Sequence, residues 1–301
     1  MKNCRSMLWV MGLALACTVG ATAGDPPKLT FTFTKANVPG AMQTEPSGIN
    51  NAGVIVGSYV DTNSVSHGYI LNGKKLTTLD DPKAMAGTTG PENLNPNGAI
   101  SVVGVYNNSS GNTVGFLYKN GKYTDIPGPA SAVSSVASGI NDTGAIVGDY
   151  VDSNGRTHGF LLKGRKYTIL DEPAAFGTTA ASGINNAGWI VVWYVDQQGL
   201  VESAVTKDNG NTYTTIDVPL AVDSYASDLD SAGDVTYFWT DSAAVGRGAL
   251  LYAGRYYKFD YPKAIFTYAG GINDKRTLVG GYQVKGKNGH PPLLGFKATY
   301  K

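Results

Sequence analysis

Cysteine is nearly absent from this chain, and the two that occur, Cys4 and Cys17, both fall in the first seventeen residues. A chain cleaved after residue 23 has none, which excludes a disulfide framework, a thiolate nucleophile and a cysteine-rich metal site. Charge is sparse too, at 16% of residues, with 24 basic against 23 acidic. Without Lys2 and Arg5 the balance is 22 to 23, so there is no electrostatic footprint for nucleic acid or an anionic membrane. Beyond the first segment no apolar run is long enough to span a bilayer. No nucleophile elbow, phosphate-binding loop, paired-cysteine motif or His-Glu-x-x-His is present.

The first segment reads as an export signal over 1–23. Lys2 and Arg5 form a positive n-region, Met7 to Cys17 an apolar core, and Ala21-Thr22-Ala23 a small-x-small cleavage site. A second reading takes Leu15-Ala16-Cys17 as a lipobox, with Cys17 lipidated; Ala14 stands where Leu is preferred, which ranks it below cleavage at Ala23. The expectation is a secreted or periplasmic monomer.

What is abundant is glycine, 39 of 301 residues, together with a repeated tripeptide. Gly-Ile-Asn or a close variant ends at Asn50, Asn95, Asn141, Asn185, Asp230 and Asn273, with spacings of 45, 46, 44, 45 and 43 residues. A period near 40–45 residues is that of a β-propeller with four-stranded blades. The segment from Ser138 to Leu170 shows one unit. Ser138–Asn141 reads as a first strand, Ala145–Val151 as a second, Thr157–Leu162 as a third and Lys166–Leu170 as a fourth, each pair joined by a Gly-containing turn. Fourth-strand motifs recur at Leu76–Leu79, Tyr123–Ile126, Tyr167–Leu170, Tyr213–Ile216 and Tyr257–Phe259, and a sixth, Thr30–Phe33, precedes the first Gly-Ile-Asn. The last unit lacks its own. The N-terminus is therefore expected to supply that strand and close an all-β, six-bladed propeller over 24–301.

His67-Gly68-Tyr69 and His158-Gly159-Phe160, with Gly115-Phe116 and Gly295-Phe296 as degraded copies, resemble the His-Ala-Phe signature of the extracellular HAF-repeat proteins. The resemblance covers Leu29 to Lys301, with Gly replacing Ala in the tripeptide. It implies a secreted propeller and no defined chemistry.

Asp152-Ser153-Asn154-Gly155-Arg156-Thr157 looks like the Asp-box hairpin of sialidase propellers, and Asp61 and Asp196 hold the same place in their units. Such an Asp caps a turn. His67 and His158 recur at one position, which favours a bond between strands over metal ligation, and no cofactor or metal is expected. Asn108-Ser109-Ser110 matches a glycosylation acceptor, a pattern common by chance.

Residues that break a repeat are the ones free to serve a site. Three before the Asn, the units carry Ser47, Glu92, Ser138, Ser182, Ser227 and Gly270; two before it, Gly except at Asn93 and Asp228; five before it, Glu45, Gly90, Val136, Ala180, Tyr225 and Tyr268. The candidate site is a channel mouth centred on Glu92 and Asp228, with Glu45 and Asp223 as further acids, Glu172 from a connection, and Tyr225 and Tyr268 as ligand-binding rings. Arg247 or Lys275 would neutralise the acids if the pair were structural. Trp189, Trp193 and Trp239 read as packing between blades or, alternatively, as an aromatic platform. Acids and rings around a mouth suit an exported module that binds carbohydrate or a surface ligand. The same acids would equip a polysaccharide hydrolase or lyase. A purely structural envelope protein is the third class.

Overall fold

The computed structural model describes residues 28–285 and 291–301; the expected export signal, with both its cleavage alternatives, lies outside the described residues. Six antiparallel sheets of four strands form the molecule, and the described residues contain no helix. The first blade runs β2 (Gln43–Ile49), β3 (Ile55–Val60), β4 (Ser66–Asn72) and β5 (Lys75–Leu79). The second has β6 (Gly90–Leu94) to β9 (Lys122–Ile126), with β7 (Ser101–Asn107) and β8 (Thr113–Lys119) between. The third runs from β10 (Ala132–Ile140) through β11 (Ile146–Asp152) and β12 (Thr157–Lys163) to β13 (Lys166–Leu170). The fourth holds β14 (Thr179–Ile184), β15 (Ile190–Val195), β16 (Val201–Thr206) and the short β17 (Thr214–Thr215). The fifth holds β18 (Asp223–Leu229), β19 (Val235–Thr240), β20 (Gly246–Tyr252) and β21 (Arg255–Phe259). The last sheet joins β22 (Ala264–Asn273), β23 (Thr277–Val284) and β24 (Leu294–Tyr300) to β1 (Phe31–Lys35), so the N-terminal strand does close the ring.

The repeated residues explain themselves once placed. The Asn that ends the tripeptide caps its own turn, and in three blades it also reaches the next one. Asn185 Oδ1 accepts the Ala187 and Trp189 amides at 3.1 and 3.0 Å, while its Nδ2 donates to the Asp230 carbonyl at 3.0 Å. Asn141 and Asn273 make the same inter-blade bond to Asn185 and Asn50. Aromatic side chains one residue after the third-strand Gly, namely Tyr69, Phe116, Phe160 and Phe296, are wholly buried. Gly159 has no room for more: a Cβ there would stand 2.7 Å from the Leu170 carbonyl oxygen. This is the physical reason for Gly, rather than Ala, after the histidine.

Apolar clusters lie between neighbouring blades. In one, Leu161 and Leu170 of the third blade pack against Ala181, Ile190 and Val192 of the fourth. At the closure, Phe31 and Phe33 of β1 pack on Phe259 and Phe296, with ring centroids 4.6 and 5.4 Å apart for Phe31–Phe259 and Phe33–Phe296.

Asp61, Asp152 and Asp196 cap their turns as expected. Each Oδ1 accepts two backbone amides, those of Asn154 and Arg156 lying 2.8 and 3.0 Å from Asp152. His67 and His158 tie that turn to the end of the outer strand. His158 Nδ1 is 2.9 Å from Asp171 and its Nε2 is 3.5 Å from Asp152. In the fifth blade Arg247 takes this place between Asp241 and Asp260.

A candidate ligand site at the channel mouth

Every innermost strand carries a β-bulge at the same place. Pairing skips Ser47, Glu92, Ser138, Ser182 and Ser227 in the first five blades, and Gly270-Gly271 in the sixth. A bulge leaves one residue unpaired and re-aims its side chain. All six skipped positions therefore line a single cavity of about 420 Å³ on the axis. Two of the skipped serines bond the neighbouring blade, Ser47 Oγ donating to the Pro91 carbonyl (2.7 Å) and Ser182 Oγ to that of Ala226 (2.6 Å).

The next residue in each strand builds a neck beneath that cavity. Four blades supply Gly48, Gly139, Gly183 and Gly271, whose backbones nearly touch: a Cβ on Gly271 would meet the Gly48 Cα at 2.7 Å. The second and fifth blades supply Asn93 and Asp228, which face each other and hydrogen-bond across the axis. Asp228 Oδ2 also accepts the Ile272 amide at 3.2 Å. Below the neck, Ile49, Leu94, Ile140, Ile184, Leu229 and Ile272 enclose a space of about 20 Å³. The channel is thus a cup with a floor.

This corrects part of the sequence expectation. Glu92 lies in the cup, but Asp228 does not stand opposite it at the mouth. It is buried in the neck, one residue deeper, where lost hydration pushes its pKa up to about 7 against the pull of its hydrogen bonds. Asp223 is also outside the cup, accepting the Val201 amide and the Thr240 hydroxyl, and Glu172 caps the Ala174 amide. Arg247 is engaged by Asp241 and Asp260, and Lys275 lines a shallow depression on the opposite side of the neck, so neither reaches the acids of the cup.

Glu45, Tyr225 and Tyr268 do line the cup. Two more residues join them, Asp149, which is not among the acids expected from the sequence, and Trp193, which is among the tryptophans expected to pack between blades or form an aromatic platform. Asp149 comes from β11, at the position just before the aromatic that ends Gly-Asp-Tyr; Trp193 holds the same place in β15. Ser58 of β3 is their counterpart in the first blade. The signal was present as a third varying position, on the second strand rather than the first. Of the three tryptophans, Trp193 alone lines the cup. Trp189 stacks under the Lys207 ammonium at 3.4 Å, and Trp239 is buried with its indole N–H on the Gly248 carbonyl.

The cup is divided by chemistry. Blades one to three contribute Glu45, Glu92 and Asp149. Blades four to six contribute the rings of Trp193, Tyr225 and Tyr268; Phe238 and Phe266, which do not line the cup, connect them in a chain with successive centroids 5.6, 5.6, 5.7 and 6.2 Å apart. Among the lining residues there is no Lys, Arg or His. Loss of hydration raises Glu92 to about 7, reinforced by the negative charges of Glu45 and Asp149, and raises Asp149 to about 7 as well. Glu45, on the rim, is raised by the same cause and held back by a hydrogen bond from Ser58. Among the described residues no group of three or more His, Cys, Asp or Glu is arranged to hold a metal ion.

No protein-family model matches the chain, and no curated protein matches it. Solved structures do. A protein of unknown function from Dyadobacter fermentans is 13% identical with a TM-score of 0.58, covering 92% of this chain and 100% of that one. AofleA from Arthrobotrys oligospora is 12% identical with a TM-score of 0.53, covering 88% and 85%. The Trypanosoma rangeli sialidase is 10% identical with a TM-score of 0.53; the match covers 91% of this chain and 60% of the sialidase. At these identities the likeness is one of fold.

Proposed function

We propose that this is an exported, carbohydrate-binding propeller of HAF-repeat type whose ligand enters the cup at the channel mouth. The observation that carries the reading is the pairing of ring faces on one side of the cup with hydrogen-bonding carboxyls and serines on the other. A sugar presents both C–H faces that pack on aromatic rings and hydroxyls that need polar partners. Export rests on the leader sequence and on the HAF-like units. The test is a glycan array probed with residues 24–301, repeated with Tyr225→Ala and Glu92→Gln. Binding that both variants lose, at an unchanged melting temperature, supports the reading. Absence of binding across the array, or binding indifferent to both changes, overturns it.

A second reading is polysaccharide hydrolysis. The observation that favours it is Glu92 with a pKa near 7, the value a general acid needs at neutral pH, beside a second carboxyl, Asp149. Asp228 and Asp223, held by hydrogen bonds outside the cup, have no part in it. Release of reducing ends from any polysaccharide, abolished by Glu92→Gln, would establish this reading in place of simple binding.

A further inference from the structure

We infer that the cup selects a ligand carrying a positively charged nitrogen, and, resting on the carbohydrate reading above, that this ligand is an amino sugar with a free ammonium group. Three observations converge. The first is that Glu92 and Asp149 project into the cup and make no hydrogen bond there, while protein closes around them enough to strip much of their hydration. Carboxyls so placed normally find a partner within the fold. Those of the neck and the turns do: Asp228, Asp230 and Asp152 each accept backbone amides. Glu92 and Asp149 instead face open volume.

The second observation is the lack of any neutralising cation in the lining, which also excludes an anionic ligand such as an acidic sugar or phosphate. The third is the ring chain opposite. Trp193, Tyr225 and Tyr268 line the side away from the acids, and an aromatic ring attracts a cation over its face through its quadrupole. An ammonium has three N–H donors and no acceptor. Glu92 and Asp149 offer acceptor oxygens, and no donor of the fold, to such a group. A metal ion is a poorer fit, since the acids are not grouped for ligation and rings do not ligate one. A neutral sugar would meet the acids with hydroxyl donors but would leave their negative charge uncompensated.

The test compares a chitosan tetramer with the chitin tetramer by calorimetry at pH 7. The two differ only in whether the nitrogen is a free amine or an acetamide. Spermidine, a cation with no sugar, is titrated in parallel. The expected result is binding of the chitosan tetramer about tenfold or more tighter than the chitin tetramer. That preference should vanish in Glu92→Gln and in Asp149→Asn, both of which keep the side-chain shape and relieve repulsion, so that each folds. Equal binding of the two tetramers overturns the charge preference and leaves the carbohydrate reading intact. Binding of spermidine alone, lost in both variants, sustains a cation site and overturns the carbohydrate reading. Binding of none of the three overturns both. A chitosan preference that survives both substitutions overturns the assignment to this cup.

Discussion

Asp230→Asn should make the protein more stable, and the gain should depend on pH. Asp230 is the one position where the repeat replaces the bridging Asn by an acid. Its Oδ1 caps the turn like the others, accepting Ala232 and Asp234 amides at 2.9 and 3.0 Å. It has no N–H to donate to the sixth blade, where Asn185 and Asn273 reach a carbonyl at 3.0 and 2.8 Å. Burial, with Asp234 and Asp274 nearby, raises its pKa from 3.8 to about 6 despite the capping amides. The sign follows from the folded value being the higher. Between pH 3.8 and 6 the native state holds more protons than the unfolded one, so stability falls as pH rises through that window and stays reduced above it. At full strength the gap is worth about 3 kcal/mol, and residual solvent screening cuts this to about 1.5 kcal/mol. A new inter-blade bond adds about 1 kcal/mol, and weaker acceptance of the two amides by a neutral oxygen subtracts about 0.5 kcal/mol. The net gain at pH 7 is therefore about 2 kcal/mol, or about 4 °C in Tm for a domain of this size. Thermal melts of both proteins at pH 7 and pH 4 test it. The gap should narrow to about 1 kcal/mol or less at pH 4. An Asn variant no more stable at pH 7, or a gain identical at both pH values, would refute the reasoning.

Gly271→Ala places a methyl 2.7 Å from the Gly48 Cα and 2.8 Å from the Ile49 amide nitrogen, atoms of a neighbouring blade that cannot move alone. It should cost about 2 kcal/mol or more in denaturant melts, whereas the same change at Gly53, a turn with open space, should owe its cost to positive φ alone. Deleting residues 28–36 removes β1 and the Phe31 and Phe33 rings that cover Phe259 and Phe296. The truncated chain should lose its single sharp thermal transition and associate through the bared β24 edge; a wild-type melt would show that the ring closes without it.

The blade count and the closure were legible because each depends on spacing. Six tripeptides gave six inner strands, and Thr30–Phe33 before the first of them gave the displaced outer strand. The cup was legible in part. Glu92, Glu45, Tyr225 and Tyr268 stood out as breaks in the pattern, and all four face the axis. Asp228 stood out equally but sits in the neck, because the bulge turns two consecutive residues toward the axis at different depths. Pure alternation cannot represent that, and a bulge has no sequence signature when the skipped residue is an ordinary serine. Asp149 escapes a comparison of first-strand positions because it lies on the second strand of its blade. Its position varies as freely as the first-strand positions, from Ser58 to Trp193, and that variation was the available signal.

The closing strand joins segments about 265 residues apart in the sequence. Phe31 pairs with Tyr300, and the Thr30 amide donates to the carbonyl of Lys301. During synthesis β1 has no partner until β24 is made. Five sheets can form in order behind it, but the sixth waits for both segments, and closing so long a loop carries a substantial entropic delay. A chain that stops one strand short leaves two edges bare rather than one. Until residues 294–300 are in place, the sixth sheet lacks its third strand and the two strands that flank it have no partner on that side.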